Sequence, residues 1–234
     1  MDMKIVLIIG GNCDIGRSLS GYFIDKDFKV VVGYHKDNYE YDKRIKYIKC
    51  DVTKEEDIEN IILETKSMYG NIDIIINLAC TYMDNNFLNK TKEEFMRVLE
   101  VNLVGSFLCS QIYSRYIDDG LIVNMASTDG IDTYSEYSID YSCSKAGIIN
   151  MCKSIALCTS NRVLCICPNW IDSNSTRSIN KEYLESELIR IGQSRLITLD
   201  EFVYGFDKII NSKFNSGDIF RIDVKDDKLW VEKI

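Results

Sequence analysis

Seven short runs in this chain are rich in Val and Ile and apolar at successive positions: residues 4–9, 29–34, 47–50, 72–77, 121–126, 162–168 and 219–224. A strand with one face in water alternates apolar and polar side chains, whereas a strand covered on both faces does not. These runs therefore predict strands buried on both sides, as in a parallel sheet. Longer amphipathic stretches separate them. Thr53 and Glu56, Thr91 and Glu94, and Thr198 and Glu201 each have the spacing of a capping box at a helix start. After the first, Ile58, Ile61, Ile62 and Met68 recur at helical spacing and predict one buried helix face. Strands alternating with helices build right-handed βαβ units. The expected fold is an α/β doubly wound parallel sheet of about seven strands. No shift in composition divides the chain, so residues 1–234 are expected to form a single domain.

Composition removes several classes of function. The formal net charge is −8, so the basic footprint of a nucleic-acid partner is missing. The one histidine, His35, excludes a zinc site built on imidazoles, and no metal is expected. The nine cysteines are odd in number and contain no CxxC pair. Several lie inside apolar runs, as in Val163-Leu164-Cys165-Ile166-Cys167, and read as buried free thiols. That pattern fits a reducing cytoplasm. Met1-Asp2-Met3-Lys4 leads straight into a strand-like run, too short and too acidic at its flank for a signal peptide. No apolar run has the length of a membrane span. The expected location is cytoplasmic, with neither nucleic acid nor membrane as partner.

Open α/β sheets bind ligands at the carboxyl ends of their strands, near the point where strand order reverses. Residues 10–17, 33–37, 50–52, 77–82, 126–130 and 168–174 are therefore expected around one site. The first segment is Gly10-Gly11-Asn12-Cys13-Asp14-Ile15-Gly16-Arg17, between a strand and a helix. Such a turn brings backbone N–H groups to a pyrophosphate at a helix N-terminus. Glycine after a strand also serves as a plain turn, and the segment alone leaves both readings open. YxxxK occurs four times, at Tyr22/Lys26, Tyr39/Lys43, Tyr141/Lys145 and Tyr204/Lys208. The spacing places each pair on one helix face, which ordinary surface pairs also do. Only Tyr141/Lys145 follows a Ser-bearing strand end, that of Ser127.

Taken together and in order, these segments resemble the short-chain dehydrogenase/reductases, with most likeness to the 3-oxoacyl-carrier-protein reductases. The family's TGxxxGIG turn is matched by Ile9-Gly10-Gly11-Asn12-Cys13-Asp14-Ile15-Gly16. Its D-x-L-V-N-N-A-G is matched by Asp73-Ile74-Ile75-Ile76-Asn77-Leu78-Ala79-Cys80, and its V-N-L-x-G by Val101-Asn102-Leu103-Val104-Gly105. Ile122-Val123-Asn124-Met125-Ala126-Ser127 matches I-V-N-x-S-S. Tyr141-Ser142-Cys143-Ser144-Lys145 matches YxxxK, and Cys167-Pro168-Asn169-Trp170-Ile171-Asp172 matches x-P-G-x-I-x. Asp14 departs from a family glycine, as do Cys80 and Asn169, while Leu78 stands in place of Asn. Asp14 matters most, because a carboxylate beside bound phosphate is unfavourable. The alternative is that Asp14 caps the helix that follows.

The resemblance implies a Rossmann-type dinucleotide-binding fold and hydride transfer between a nicotinamide cofactor and a carbonyl or secondary alcohol, 3-oxoacyl thioesters included. Reduction leaves an alkoxide that needs a proton. Tyr141 would donate it, with Lys145 and the positive nicotinamide of the oxidised cofactor together lowering the tyrosine's pKa from its usual value near 10. Ser127 would hold the substrate oxygen. Lys145 would also hold the nicotinamide ribose, and Asn102 a proton-relay water. The cofactor contacts implied are Gly10, Asn12, Cys13, Asp14, Ile15 and Gly16 at the turn, then Tyr34, His35 and Lys36. Asp51 and Val52 would meet the adenine, with Asn77, Ala79, Tyr141, Lys145, Pro168 and Ile171 completing the set. Asp51 could instead cap the helix after Thr53. Tyr34 stands in the family's usual acidic place with His35 and Lys36 beside it, and Arg17 is a further cation. This favours NADP, with NAD open because Asp37 is close by. Tyr82, Tyr134, Tyr137, Trp170 and residues 173–192 would wall the pocket of a small-molecule substrate. A homodimer or homotetramer on helices near 91–115 and 141–158 is implied. The competing reading is a non-catalytic dinucleotide-binding sensor or scaffold of the same fold, favoured by Asp14, Leu78, Cys80 and Asn169. Retention of Asn102, Ser127, Tyr141 and Lys145 speaks against it.

Overall fold

The computed structural model describes residues 3–36 and 42–234. An eight-stranded sheet runs in the order β3-β2-β1-β4-β5-β6-β7-β8. Its strands are β1 (Ile5–Ile9), β2 (Lys29–Tyr34), β3 (Ile45–Lys49), β4 (Ile74–Asn77), β5 (Leu121–Met125), β6 (Arg162–Pro168), β7 (Asp218–Lys225) and β8 (Lys228–Lys233). The first seven are parallel and β8 is antiparallel to β7. Strand order reverses between β1 and β4, which opens the crevice where such sheets bind ligands.

Burial on both faces explains the missing alternation. In β1 all five residues are buried. Leu7 and Ile9 pack into a core with α2 (Glu55–Tyr69), α4 (Gly105–Tyr116) and α5 (Ile139–Ile155). Val6 and Ile8 face the opposite core, with Leu19 and Phe23 of α1 (Asp14–Ile24) and Phe202 and Phe206 of α8 (Leu199–Ile210). The expected capping boxes form at Thr91, before α3 (Lys92–Leu99), and at Thr198, before α8. The one expected at Thr53 does not form. α2 starts one residue later, at a Lys54 cap without a side-chain bond, because Asp51 takes both the Thr53 N–H and its hydroxyl. Ile58, Ile61 and Ile62 are buried as their spacing predicts, but Met68 is exposed.

The eighth strand was not expected. β7 and β8 are joined by Asp226-Asp227, both at positive φ, +49° and +59°. That is the backbone of a tight two-residue hairpin, usually built with Asn-Gly or Asp-Gly. The hairpin covers the β7 edge, and Leu229 and Val231 pack onto the core. Among the described residues no helix is long and apolar enough to cross a membrane. Five cysteines are buried as expected, Cys50, Cys109, Cys152, Cys165 and Cys167, while Cys80, Cys143 and Cys158 are exposed.

Gly16 closes α1 onto its own turn. A Cβ there would run into the backbone carbonyl of Gly11, which has no room to yield. Gly16→Ala is expected to lower stability by about 1–3 kcal/mol, the range for overpacking a tight contact, read as a drop in the urea midpoint at unchanged slope.

Candidate active site

The carboxyl end of β1 is held by a close approach. Gly10 has φ +72°, and a Cβ there would lie 2.6 Å from the Ala79 nitrogen at the end of β4. Gly10 and Gly11 both donate their N–H to the Gly33 carbonyl of β2, at 2.9 and 3.1 Å. The turn is thus pinned to both flanking strands, and the N-terminus of α1 opens on the crevice. The helix cap is Cys13, whose thiol accepts the Gly16 N–H at 3.4 Å. Burial pushes that thiol up to about 11, so it stays protonated. This cap displaces the expected one: the Asp14 carboxylate turns instead to the segment after β6. It accepts the Asn174 N–H at 2.5 Å and the Asn174 side-chain amide at 2.9 Å. Helix N-terminus, glycine backbone and a side chain committed elsewhere together fit a dinucleotide.

At the ends of β2 and β3 the sequence-predicted residues come together in part. Tyr34 is half-buried, and His35 and Lys36 are exposed. His35 lies 3.6 Å from Asp51. Burial pushes Asp51 up, but its bonds from Thr53 and the nearby His35 and Arg97 outweigh this and hold it below its ordinary value. Asn12 donates to the Lys36 carbonyl at 2.6 Å, joining the two turns. Val52 is buried against Gly105. Asp37 lies outside the described residues, as does Tyr39 of one YxxxK pair. The Asn77 side chain is committed to Ser106 at 2.7 Å and to the Ala79 N–H at 3.2 Å, so it braces β4 against α4. Pro168 ends β6, and Ile171 pairs with Ile197 in an isolated bridge.

Ser127 and Tyr141 meet across the site. Ser127 acts on the tyrosine hydroxyl, and its Oγ accepts the Asp129 N–H at 3.2 Å. Lys145 lies one helical turn on, 5.2 Å from the Tyr141 ring centre, and donates to the Met125 carbonyl at 2.9 Å. Asn102 sits in a π-helical turn, Glu100–Val104, between α3 and α4. It accepts the Thr81 N–H at 2.7 Å and donates to Ser144 at 3.1 Å, between Tyr141 and Lys145 in sequence. All four expected residues therefore share one site. Lys145 by itself does not bring Tyr141 down: burial pushes the hydroxyl well above the ordinary value, Cys80 and Asp129 act the same way, and Ser127 only partly offsets them. The other described YxxxK pairs also stack lysine on tyrosine, at 5.7 Å for Lys26 and 4.5 Å for Lys208, but lie elsewhere, on α1 and α8.

Several groups around the site were not expected. Lys90 and Asp140 form a buried ion pair at 3.0 Å, and Asp140 accepts the Tyr141 N–H at 2.9 Å. The pair ties the 80–90 segment to the helix start that carries Tyr141. Asp129 is buried two residues after Ser127, and a polar chain runs behind it. Thr133 Oγ1 lies 2.9 Å from Asp129 Oδ1 and 2.8 Å from Thr128 Oγ1, which lies 3.1 Å from Asn169 Oδ1. Asn169 donates to Asp223 at 2.9 Å, and Arg221 pairs with Asp223 and Asp132. Asn169, out of place for the family pattern, is thus the joint between β6 and β7. Burial pushes the Asp129 carboxyl up, to about 6, against the Thr133 hydroxyl that donates to it and the charges of Arg190 and Lys145. The sequence signal was a carboxyl inside the 126–130 segment, unread because the eye goes to Ser127.

The segment after β6 covers the site. It contains α6 (Asn174–Arg177) and α7 (Lys181–Ile191). Tyr183 of α7 packs edge-on against Tyr137 at 5.8 Å, and Tyr82 lies 3.4 Å from Ser175. Glu187 holds Arg190 in a two-point ion pair at 2.9 and 2.7 Å. Tyr134 is exposed and bonds the Ile131 carbonyl.

A doubly wound sheet with a glycine turn at its switch point and a Ser-Tyr-Lys group beside it defines a nicotinamide-dependent oxidoreductase fold. Residues 4–184 match the model of the family described as short chain dehydrogenase. The chain belongs to that family and is an NAD(P)-dependent oxidoreductase. It is 26% identical over 189 residues to an uncharacterized oxidoreductase of Thermotoga maritima, covering 74% of this chain and 73% of that one. It is 26% identical over 197 residues to the 3-oxoacyl-[acyl-carrier-protein] reductase of Bos taurus, covering 79% and 83%. Among solved structures, a Leptospira borgpetersenii short chain dehydrogenase with bound NAD+ superposes with a TM-score of 0.84 at 27% identity, covering 95% and 92%. The scaffold alternative gives way: Asp14 and Asn169, two of its four supports, have structural partners.

The raised Asp129 value has a stability consequence. Between the ordinary carboxyl value of 3.8 and about 6 the folded protein keeps a proton that the unfolded chain has lost. That contribution is complete below 3.8 and disappears as pH rises through 6. Asp129→Asn does not titrate. Its unfolding free energy should therefore gain on wild type by up to about 3 kcal/mol between pH 4 and pH 7. Denaturation at a series of pH values measures this, and a constant difference would mean an unshifted carboxyl.

Proposed function

We propose that the protein is an NADP(H)-dependent carbonyl reductase in which Tyr141 is the proton donor. The observation that carries this reading is the grouping of Ser127, Tyr141 and Lys145, with Lys145 5.2 Å from the Tyr141 ring centre and donating to the Met125 carbonyl two residues before Ser127; burial also pushes the tyrosine hydroxyl up. A hydroxyl held protonated at neutral pH is in the state an acid needs. It is a poor base, so reduction is the favoured direction at neutral pH. The hydride chemistry is the dinucleotide's own. In this reading Ser127 orients the substrate oxygen toward Tyr141. Lys145 holds the ribose, and Asn102 keeps the α4–α5 side in place for a water. The Gly10–Gly16 turn takes the pyrophosphate, while Pro168 and Ile171 border the nicotinamide.

Preference for NADP rests on Tyr34, His35 and Lys36, which supply no carboxylate at the end of β2. The 3-oxoacyl thioester is one substrate within the class. A homodimer or homotetramer on the helices near 91–115 and 141–158 belongs to the same reading, supported by exposed Val104 and Phe107. So does a cytoplasmic location, supported by nine free thiols.

Two outcomes follow. Tyr141→Phe should lower kcat for ketone reduction by about 10²–10⁴-fold while dinucleotide affinity stays within a few-fold. In the wild type, alcohol oxidation should climb with pH toward 9 and above while reduction does not. Retained kcat in the variant would move the acid elsewhere. Separately, fluorescence titration should give tighter binding of NADPH than of NADH. Equal or tighter NADH binding would place a carboxylate such as Asp37 at the ribose.

A further inference from the structure

The side chains beyond Tyr141 on the Ser127 loop are polar: Thr128, Asp129 and Thr133. Asp129 is held from behind by Thr133 through Oδ1, and among the described residues its Oδ2 accepts no hydrogen bond. That oxygen is not sealed in the core either, since it is absent from the buried unpartnered atoms, Asn124 Oδ1 and Ser142 Oγ. The Asp129 charge acts on Tyr141, and Lys145, Arg190 and Glu187 act on Asp129. The carboxyl is thus within electrostatic reach of Tyr141, Lys145 and the Glu187–Arg190 pair of α7. Its backbone N–H donates to Ser127 Oγ, which fixes it one short step from the oxygen that would meet the substrate.

We propose that Asp129 is a specificity-determining residue: its Oδ2 accepts a hydroxyl on the carbon next to the reacting one, and the substrates are α-hydroxy ketones and their vicinal diols. This rests on the reductase reading above and narrows it. Three observations select the chemistry. A carboxyl oxygen that reaches the surface of the site without a protein partner can take a donor from a ligand, and a neutral aliphatic chain offers none. Lys145 and Arg190 already supply positive charge to Asp129, so a hydroxyl suits the place better than an ammonium. The position next to Ser127 favours a hydroxyl adjacent to the carbonyl over a distant one. These polar side chains also argue against a long acyl chain as the group bound here. In the reaction the ketone carbon gains a hydride from the reduced dinucleotide and the oxygen gains the Tyr141 proton, giving the diol and the oxidised dinucleotide. Asp129 transfers nothing.

The test compares matched substrates. kcat/KM is measured for 1-hydroxybutan-2-one and butan-2-one with NADPH and with NADH, in the wild type, Asp129→Ala and Asp129→Asn. The wild type should prefer the hydroxy ketone by about tenfold or more, since a site built around a hydroxyl rejects the analogue lacking it. Asp129→Ala should collapse that ratio to within about threefold, and Asp129→Asn, which keeps an acceptor oxygen, should retain part of it. Melting curves of both variants establish that they are folded, and Asp129→Asn carries the comparison if the alanine variant is not. A wild type without the preference, or a ratio unchanged in the folded variants, overturns the role of Asp129 and leaves the reductase reading standing. No turnover of either ketone with either dinucleotide overturns the reductase reading, and this narrower one with it.

Discussion

Seven parallel strands covered on both faces leave few places for polar side chains that water does not reach. Apolar residues fill β1, most of β2 and nearly all of β6. Buried polar groups gather instead at the carboxyl edge and along α4 and α5: Asn77, Asn102, Ser106, Thr128, Asp129, Ser144, Lys145 and Asn169. Each unpaired group there would cost free energy, so nearly all are cross-linked. The fully buried exceptions are Asn124 Oδ1 and Ser142 Oγ. The half-buried Ser127 and Tyr141 stand at the edge of this network, where a ligand can reach them.

The cross-links make the site rigid from several directions at once. Asn77 braces β4 against Ser106, and Asn102 joins the 80–90 segment to α5 through Thr81 and Ser144. The Lys90–Asp140 pair fixes the turn of helix on which Tyr141 sits. Burying an ion pair costs desolvation that the attraction only roughly offsets, so its value lies in position more than in stability. From the opposite side, Thr128, Thr133, Asn169 and Asp223 connect the Ser127 loop to β6 and β7. A tyrosine and a serine held together at one site depend on all of these supports.

How far the sequence was legible follows the same physics. Strands buried on both faces announce themselves by continuous apolar runs, and seven were located from those runs alone. β8 escaped because it is an edge strand half in water and its turn is Asp226-Asp227, without the glycine that marks such hairpins. The Thr53 cap failed because Asp51 competes for the same hydroxyl, a contest spacing cannot reveal. Asn102, Ser127, Tyr141 and Lys145 were legible through ordered motifs. Asp129, Lys90 and Arg190 were not, because their meaning comes from burial and from partners far off in sequence. The burial of the Tyr141 hydroxyl was hidden for a related reason: a lysine four residues away is visible in the sequence, whereas desolvation is not.

Asp14 joins these threads. By position it is the residue least compatible with phosphate, since a like charge at contact distance is unfavourable. By geometry its charge is spent on two donors from Asn174, the first residue of α6. The carboxylate therefore belongs to the covering segment as much as to the turn. Arg177, which pairs with Asp172 at 2.8 Å, also feels the Asp14 charge, so a cation stands on the same side. The field at the helix N-terminus is thus a sum over a carboxylate, two amide donors, a guanidinium and the helix dipole. A glycine at this place would leave the turn free of the segment after β6. The aspartate links the glycine turn after β1 to the segment after β6 at the carboxyl edge of the sheet.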